Sequence, residues 1–320
     1  MKIKSLKSLL YAFLLVTILY SCKEQVIEQP LTQEYPDAPY ITVLGVAQDA
    51  GYPQADCKKK CCTAVWNGQQ TKRKVSCIAL VDPASDQFWI FDATPDFREQ
   101  LNDIQHQATK LSGIFLTHAH MGHYTGLMHL GREAMGAKEV SVFAMPRMKS
   151  YLANNGPWSQ LVDLRNIRLQ SLKADSVIQL TEQIQITPLA VPHRDEFSET
   201  VGFKITFDDK SALFIPDIDK WKKWNRSIKE LIEEVDVAYL DGTFYANGEL
   251  PGRDMSEIPH PFVAESMELF KDLSKEEKSK VHFIHFNHTN DLLRKGSTAQ
   301  KEVLEKGFNF AKEGEVIKLK

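Results

Sequence analysis

Leu116-Thr117-His118-Ala119-His120-Met121-Gly122-His123-Tyr124-Thr125-Gly126-Leu127 is the stretch from which the fold can be read. It begins where the apolar run Gly113 to Leu116 ends, and it sets three histidines at i, i+2 and i+5. A β-rich run that stops at these histidines, with a helical pattern over His123 to Met135 behind it, gathers the imidazoles at a strand end. Neutral imidazole is a common ligand for zinc and also suits iron. One histidine is usually structural, but three within six residues after a buried strand point to a metal.

A metal needs further ligands from distant positions, and three more candidates occupy the same kind of place. His193 follows the expected strand Ile184 to Val191, Asp217 follows Ala212 to Ile215, and His285 follows Val281 to Ile284. Each has an ordinary alternative: His193 as a surface residue, Asp217 as the N-cap of a helix over Lys220 to Glu234, His285 as a satisfied core histidine. Further strands are expected at Tyr40 to Gly45, Cys77 to Val81, Gln87 to Asp92, Val140 to Ala144, Val201 to Phe207 and Val237 to Leu240. Helices fit Pro95 to His106, Pro146 to Ala153, Phe262 to Leu273 and Thr298 to Lys306. Strands with helices spread throughout imply two sheets covered by helices in one large domain over residues 39–320.

Composition narrows the function. Of 320 residues, 39 are Lys or Arg and 42 are Asp or Glu, a formal net charge of −3, which excludes a nucleic-acid backbone as the expected partner. Residues 1–21 read as a secretory signal: Lys2, Lys4 and Lys7 lead into the apolar run Leu9 to Leu19, too short to span a bilayer, which takes ~20 residues. Ser21-Cys22 resembles a lipobox, so Cys22 is the expected site of acylation and residues 22–38, lacking hydrophobic periodicity, are the expected tether. The protein is then exported and lipid-anchored to a bacterial membrane, touching it through that lipid alone. The alternative is a plain cleaved signal or an uncleaved anchor.

With its later His, Asp and His, the motif resembles the metallo-β-lactamase superfamily and its His-x-His-x-Asp-His signature. The resemblance implies an α/β fold, the αββα four-layer sandwich, with a one- or two-metal site in the cleft at the sheet ends. It places His118, His120 and His193 on a first metal, His123 and His285 on a second, and Asp217 between them. Gly122 stands where the signature has aspartate, so the second site loses a ligand and a candidate base. Val43 to Gln54, Asp92 to Gln100, Gly126-Leu127 with Arg132-Glu133, Asp241 to Phe244 and His285 to Asn290 are similar to the subgroup named for pyrroloquinoline quinone biosynthesis protein B, and a neighbouring branch is the cyclic phosphodiesterase of phosphonate breakdown. In that second branch three cysteines and a histidine hold a structural zinc, which implies Cys57, Cys61, Cys62 and His288 here. The alternative in an exported protein is a disulfide among Cys57, Cys61, Cys62 and Cys77.

Zinc on three neutral histidines leaves an open position where water acidifies to a pKa near ~7. The expected activity is therefore a metal-dependent hydrolase, with zinc at one or two positions of the His/Asp site and iron or manganese as its substitutes, acting on a small ester or phosphodiester. Asp217 would orient the water, and His260 would protonate the leaving group, unless it is only a surface histidine before a helix. Asp96 and Arg98 are candidates for the cleft wall, and His129 and Arg132 for support behind His123. Two other readings stand beside the hydrolase: an iron-dependent redox or cofactor-biosynthesis protein, and a binding lipoprotein that keeps the fold without catalysis.

Overall fold

The computed structural model describes residues 35 to 318 apart from Asp195. The expected leader, Cys22 and most of the tether lie outside the described residues. Fourteen strands, among the described residues, form two mixed seven-stranded sheets. The first holds β1 (Tyr40–Gly45), β2 (Cys77–Asp82), β3 (Gln87–Phe91), β4 (Lys110–Phe115), β5 (Val140–Ala144), β6 (Ile167–Ser171) and the C-terminal β14 (Val316–Lys318), in the order β14-β1-β2-β3-β4-β5-β6. The second holds β7 (Ile178–Gln179), β8 (Ile184–Ala190), β9 (Val201–Phe207), β10 (Lys210–Ile215), β11 (Val237–Asp241), β12 (Val281–Ile284) and β13 (Asn309–Phe310), in the order β13-β12-β11-β10-β9-β8-β7. With helices packed on the sheets this is the αββα metallo-β-lactamase fold that the motif implied.

Strand direction positions the site. β3, β4, β5 and β6 run parallel, and β1 is antiparallel to β2, which is antiparallel to β3, so β1 points the same way as β3. In the second sheet β10, β11 and β12 run parallel, and β8 reaches the same direction through antiparallel β9. The carboxyl ends of these strands therefore open at a common edge, where open α/β sheets present ligand sites.

The core beneath that edge is aromatic. Phe91 of β3 and Phe115 of β4 stack with ring centres 5.1 Å apart, and Phe203 of β9 meets both edge-on at 5.4 and 5.6 Å. Phe214 of β10 closes the group 6.2 Å from Phe91. All four rings are fully buried, and each such contact adds ~0.5–1.5 kcal/mol beyond area burial. They tie the strand ends bearing His118 and Asp217 to one rigid layer.

The helices are α1 (Lys60–Trp66), α2 (Phe97–Ile104), α3 (Met121–Tyr124), α4 (Pro146–Asn154), α5 (Trp158–Asp163), α6 (Ile228–Glu233), α7 (Val263–Leu269), α8 (Lys275–Lys280) and α9 (Thr298–Glu305). α2 shows why they dock: Phe97, Gln100, Leu101 and Ile104 are buried at i, i+3, i+4 and i+7, one face of a helix.

Two expected helices are corrected. The pattern His123 to Met135 is α-helical only in α3 and continues as a 3-10 turn over Thr125–Leu130. Gly126 N donates to Ala93 O at 2.9 Å and Ala93 N to His123 O at 2.9 Å, so neighbouring chain takes bonds that a continuous helix would use. The expected helix Lys220 to Glu234 is instead a 3-10 turn at Trp221–Lys223 followed by α6. The Trp224 indole donates to Ala190 O at 2.8 Å, and Ser227 caps α6 through Glu230 N, which restarts the helix there.

Candidate metal centre

His118, His193, Asp217 and His285 all lie just past strand ends at the shared edge, after β4, β8, β10 and β12. His118 Nε2, His120 Nδ1, His193 Nε2 and Asp217 Oδ2 converge. His118 Nε2 is 2.7 Å from His120 Nδ1, His193 Nε2 is 3.4 Å from His120 Nδ1, and Asp217 Oδ2 stands 3.3, 3.8 and 3.2 Å from these nitrogens of His118, His120 and His193. Tetrahedral ligands at ~2.0–2.1 Å from zinc lie about 3.3 Å from one another, and the observed edges bracket that value. Asp217 Oδ1 is buried and makes no well-aligned hydrogen bond, with His260 Nδ1 3.2 Å away as its polar neighbour. The donor set fits a divalent metal.

Protonation supports the same reading. Burial, reinforced by the neighbouring His123, holds the His118 imidazole well below its ordinary pKa, which keeps the ring neutral, the form that binds a metal. Burial alone would push the Asp217 carboxyl up. The charges of His260 and His193 and the bonds from His118 and His120 outweigh it and hold the group well below the usual carboxylate range.

A second cluster adjoins the first through Asp217. His123 Nε2 and His285 Nε2 lie 2.9 and 3.2 Å from Asp49 Oδ1, and His123 Nε2 is 4.0 Å from Asp217 Oδ2. The expectation that Gly122 leaves this group short of a carboxylate is corrected: Asp49, in the loop after β1, supplies one. Asp49 belongs to the Val43 to Gln54 run, yet no spacing relates it to the histidines, so sequence reasoning missed it.

The outer nitrogens of the rings are tethered, which fixes which nitrogen faces the centre. His118 Nδ1 lies 2.9 Å from Thr117 Oγ1, and that hydroxyl donates to buried Asp92. His285 Nδ1 lies 2.9 Å from Thr243 Oγ1, which donates to buried Asp241 at 2.7 Å. The two sheets thus use the same histidine-threonine-aspartate chain. His123 Nδ1 bonds Asp92 Oδ2 directly at 2.7 Å, and His193 Nδ1 lies 3.3 Å from Asp219 Oδ1. Asp92 and His285 both have left-handed backbone, φ +71° and +69°, a conformation that costs a non-glycine residue ~1–3 kcal/mol and concentrates at functional sites.

His260 is buried, not a surface histidine, and its Nδ1 lies 2.9 Å from Asp241 Oδ2 and 3.2 Å from Asp217 Oδ1. The other candidates do not reach the cleft. Asp96 accepts from Val75 N at 2.8 Å, Arg98 is exposed and pairs with Glu99, His129 stacks on Phe97, and Arg132 pairs with Glu133 at the surface.

Cys57, Cys61, Cys62 and His288 form a separate cluster. Cys57 Sγ is 3.9 Å from Cys61 Sγ, and His288 Nδ1 is 3.5 and 3.3 Å from Cys61 and Cys62 Sγ. Zinc–sulfur bonds of ~2.3 Å give tetrahedral edges of about 3.5–3.8 Å, close to these. All four cysteines Cys57, Cys61, Cys62 and Cys77 are free, so the disulfide alternative is not the arrangement found. Burial pushes the Cys62 thiol up to about 12.

Two cavities flank the His/Asp centre and share Arg194. One of about 690 Å³ is lined by Lys59, Arg194, Arg253, Phe244, His260 and His288 among others. The other, of about 790 Å³, is lined by Asp49, His120, Met121, Tyr124, Tyr151 and Phe197 among others.

The fold and site define a metallohydrolase-like α/β sandwich. The chain belongs to the β-lactamase superfamily, whose domain profile matches residues 89–286. It is 25% identical to coenzyme PQQ synthesis protein B of Gluconobacter oxydans, across 87% of this chain and 98% of that one. The crystal structure of zinc-bound PqqB from Methylobacterium extorquens superposes with a TM-score of 0.74 at 21% identity, covering 88% of this chain and all of that one. A diphosphatase of the PhnP family superposes at 0.58 with 19% identity, covering 87% and 96%.

Proposed function

We propose that the protein is a metal-dependent hydrolase of a small anionic ester, a phosphodiester in the first instance. The observation that carries the reading is the convergence of His118 Nε2, His120 Nδ1, His193 Nε2 and Asp217 Oδ2 beside two open cavities. Zinc, with iron or manganese as substitutes, would be held there, and a second ion by Asp49, His123, Asp217 and His285. A divalent ion so held polarises the scissile ester and acidifies water at neutral pH.

The chain's own groups do the rest. Lys59, Arg194 and Arg253 give one cavity a basic wall that would attract and orient a phosphate-bearing substrate. Asp217, whose carboxyl is held ionised, would accept a hydrogen bond from the attacking water and fix its direction. His260 Nδ1 is engaged by Asp241, which leaves Nε2 to deliver a proton to the leaving oxygen. Cys57, Cys61, Cys62 and His288 would hold a structural zinc that joins the loop after β1 to the loop after β12. The zinc-bound relative and the PhnP-family diphosphatase support both the metal and the reaction class. Residues 1–22 support export with a lipid on Cys22.

The test is turnover of bis(p-nitrophenyl) phosphate and of a lactone and lactam panel by zinc-loaded and chelator-stripped protein. Hydrolysis that needs the metal and is lost in His118→Ala is expected. A fully loaded protein that turns over none of these, but consumes oxygen with iron bound, would replace the hydrolase with the redox reading.

A further inference from the structure

Gly122 sits inside helix α3 and has no left-handed backbone to require glycine, so its missing side chain needs another cause. Glycine in a helix is less favourable than alanine by ~1 kcal/mol. A Cβ built at residue 122 would lie 2.4 Å from Asp49 Cα, 2.6 Å from Asp49 Cβ and 2.7 Å from Asp49 Oδ1. Two of these three are contacts with the root of the Asp49 side chain, so rotating its far end relieves nothing.

The loop cannot step aside cheaply either. Gln48 N donates to Phe286 O at 2.8 Å, Gly51 N donates to Gln48 O at 2.7 Å, and the Asn287 amide donates to Gln48 Oε1 at 2.5 Å. Asp49 is therefore clamped to the strand end that carries His285. Its Oδ1 sits between His123 Nε2 and His285 Nε2, 2.7 Å from where a Cβ on residue 122 would lie, a distance close to the length of a carboxylate side chain.

We propose that Asp49 and Gly122 are an exchanged pair: the loop after β1 delivers the carboxylate ligand of the second metal position, and residue 122 is glycine because Asp49 fills its side-chain space. The proposal rests on the metal reading given under Proposed function. It explains why a chain with glycine at 122 still builds a complete second ligand group, and it makes the two positions interdependent. Either one can hold the carboxylate, but not both.

The experiment measures ions per chain by elemental analysis after zinc loading and desalting, with anomalous diffraction to place them. Asp49→Asn, equal in shape and without the charge, is expected to lose the ion between His123 and His285 while keeping those at His118/His120/His193 and at the cysteines. The double variant Asp49→Gly with Gly122→Asp is expected to regain it, and Gly122→Ala alone to lower its occupancy by displacing Asp49. A full complement in Asp49→Asn overturns the ligand assignment. An undisturbed complement in folded Gly122→Ala, or no recovery in a folded double variant, overturns the exchange. Wild-type protein with no ion at His118, His120 and His193 would instead sink the metal reading itself.

Discussion

Replacing Asp92 by asparagine should weaken the second metal position while leaving the first nearly intact. Asp92 is fully buried and accepts from Thr117 N at 2.8 Å, from Thr117 Oγ1 at 3.0 Å and, at 2.7 Å, from His123 Nδ1. Asparagine tolerates the left-handed backbone at this position, and its Oδ1 can still accept from Thr117, so the change isolates the bond to His123. The amide nitrogen then faces His123 Nδ1 as a donor. The imidazole answers by carrying its proton on Nε2, the nitrogen aimed at Asp49 and the second ion, which is the wrong tautomer for a ligand. A hydrogen bond to a charged group is worth ~1.5–3 kcal/mol, and loss of an outer partner usually costs about 10–100-fold in metal affinity, ~1.4–2.8 kcal/mol. The two estimates agree. Competition of the loaded protein against a chromophoric chelator reads the affinities, and nitrogen-15 imidazole shifts read the tautomer. A second-ion affinity within about twofold of wild type, with the His123 proton still on Nδ1, would refute the reasoning.

Two further expectations follow from the packing. Cys62→Ser should remove one zinc per chain and leave the His/Asp centre loaded, and wild-type zinc uptake should release protons, because burial raises the Cys61 and Cys62 thiols and a metal takes them as thiolates. Elemental analysis and a weakly buffered pH trace check this; unchanged zinc content would remove the structural site. Phe115→Ala should cost ~3–5 kcal/mol in urea unfolding, because its ring meets Phe91, Phe143 and Phe203, and a loss under ~1 kcal/mol would deny that this layer anchors the strand end before His118.

What could be read from the chain alone was the chemistry that sits at strand ends. His118, His193, Asp217 and His285 each follow a short apolar run that carries its own period and its own stop, so the candidate ligands and a two-sheet fold were legible in the chain, and the sandwich came from the resemblance the motif carries. Cys57, Cys61, Cys62 and His288 were visible as donor types, but their spacing left zinc and disulfide open, and only the fold brings the four donors together with the thiols free. The helix behind His123 misled because Gly126 N donates to Ala93 O and Ala93 N to His123 O across the fold, which no local pattern records. β14 pairs with β1 from the far end of the chain, and β13 lies beside β12 through two residue pairs, so neither edge strand had a periodic signal long enough to read. Asp49 is the sharpest case. Nothing about an aspartate between glutamine and alanine distinguishes a ligand from a loop residue. Its place beside His123 and His285 was decided when β1 paired with β2 and aimed the following loop at them, a matter of strand direction and close packing rather than of residue order.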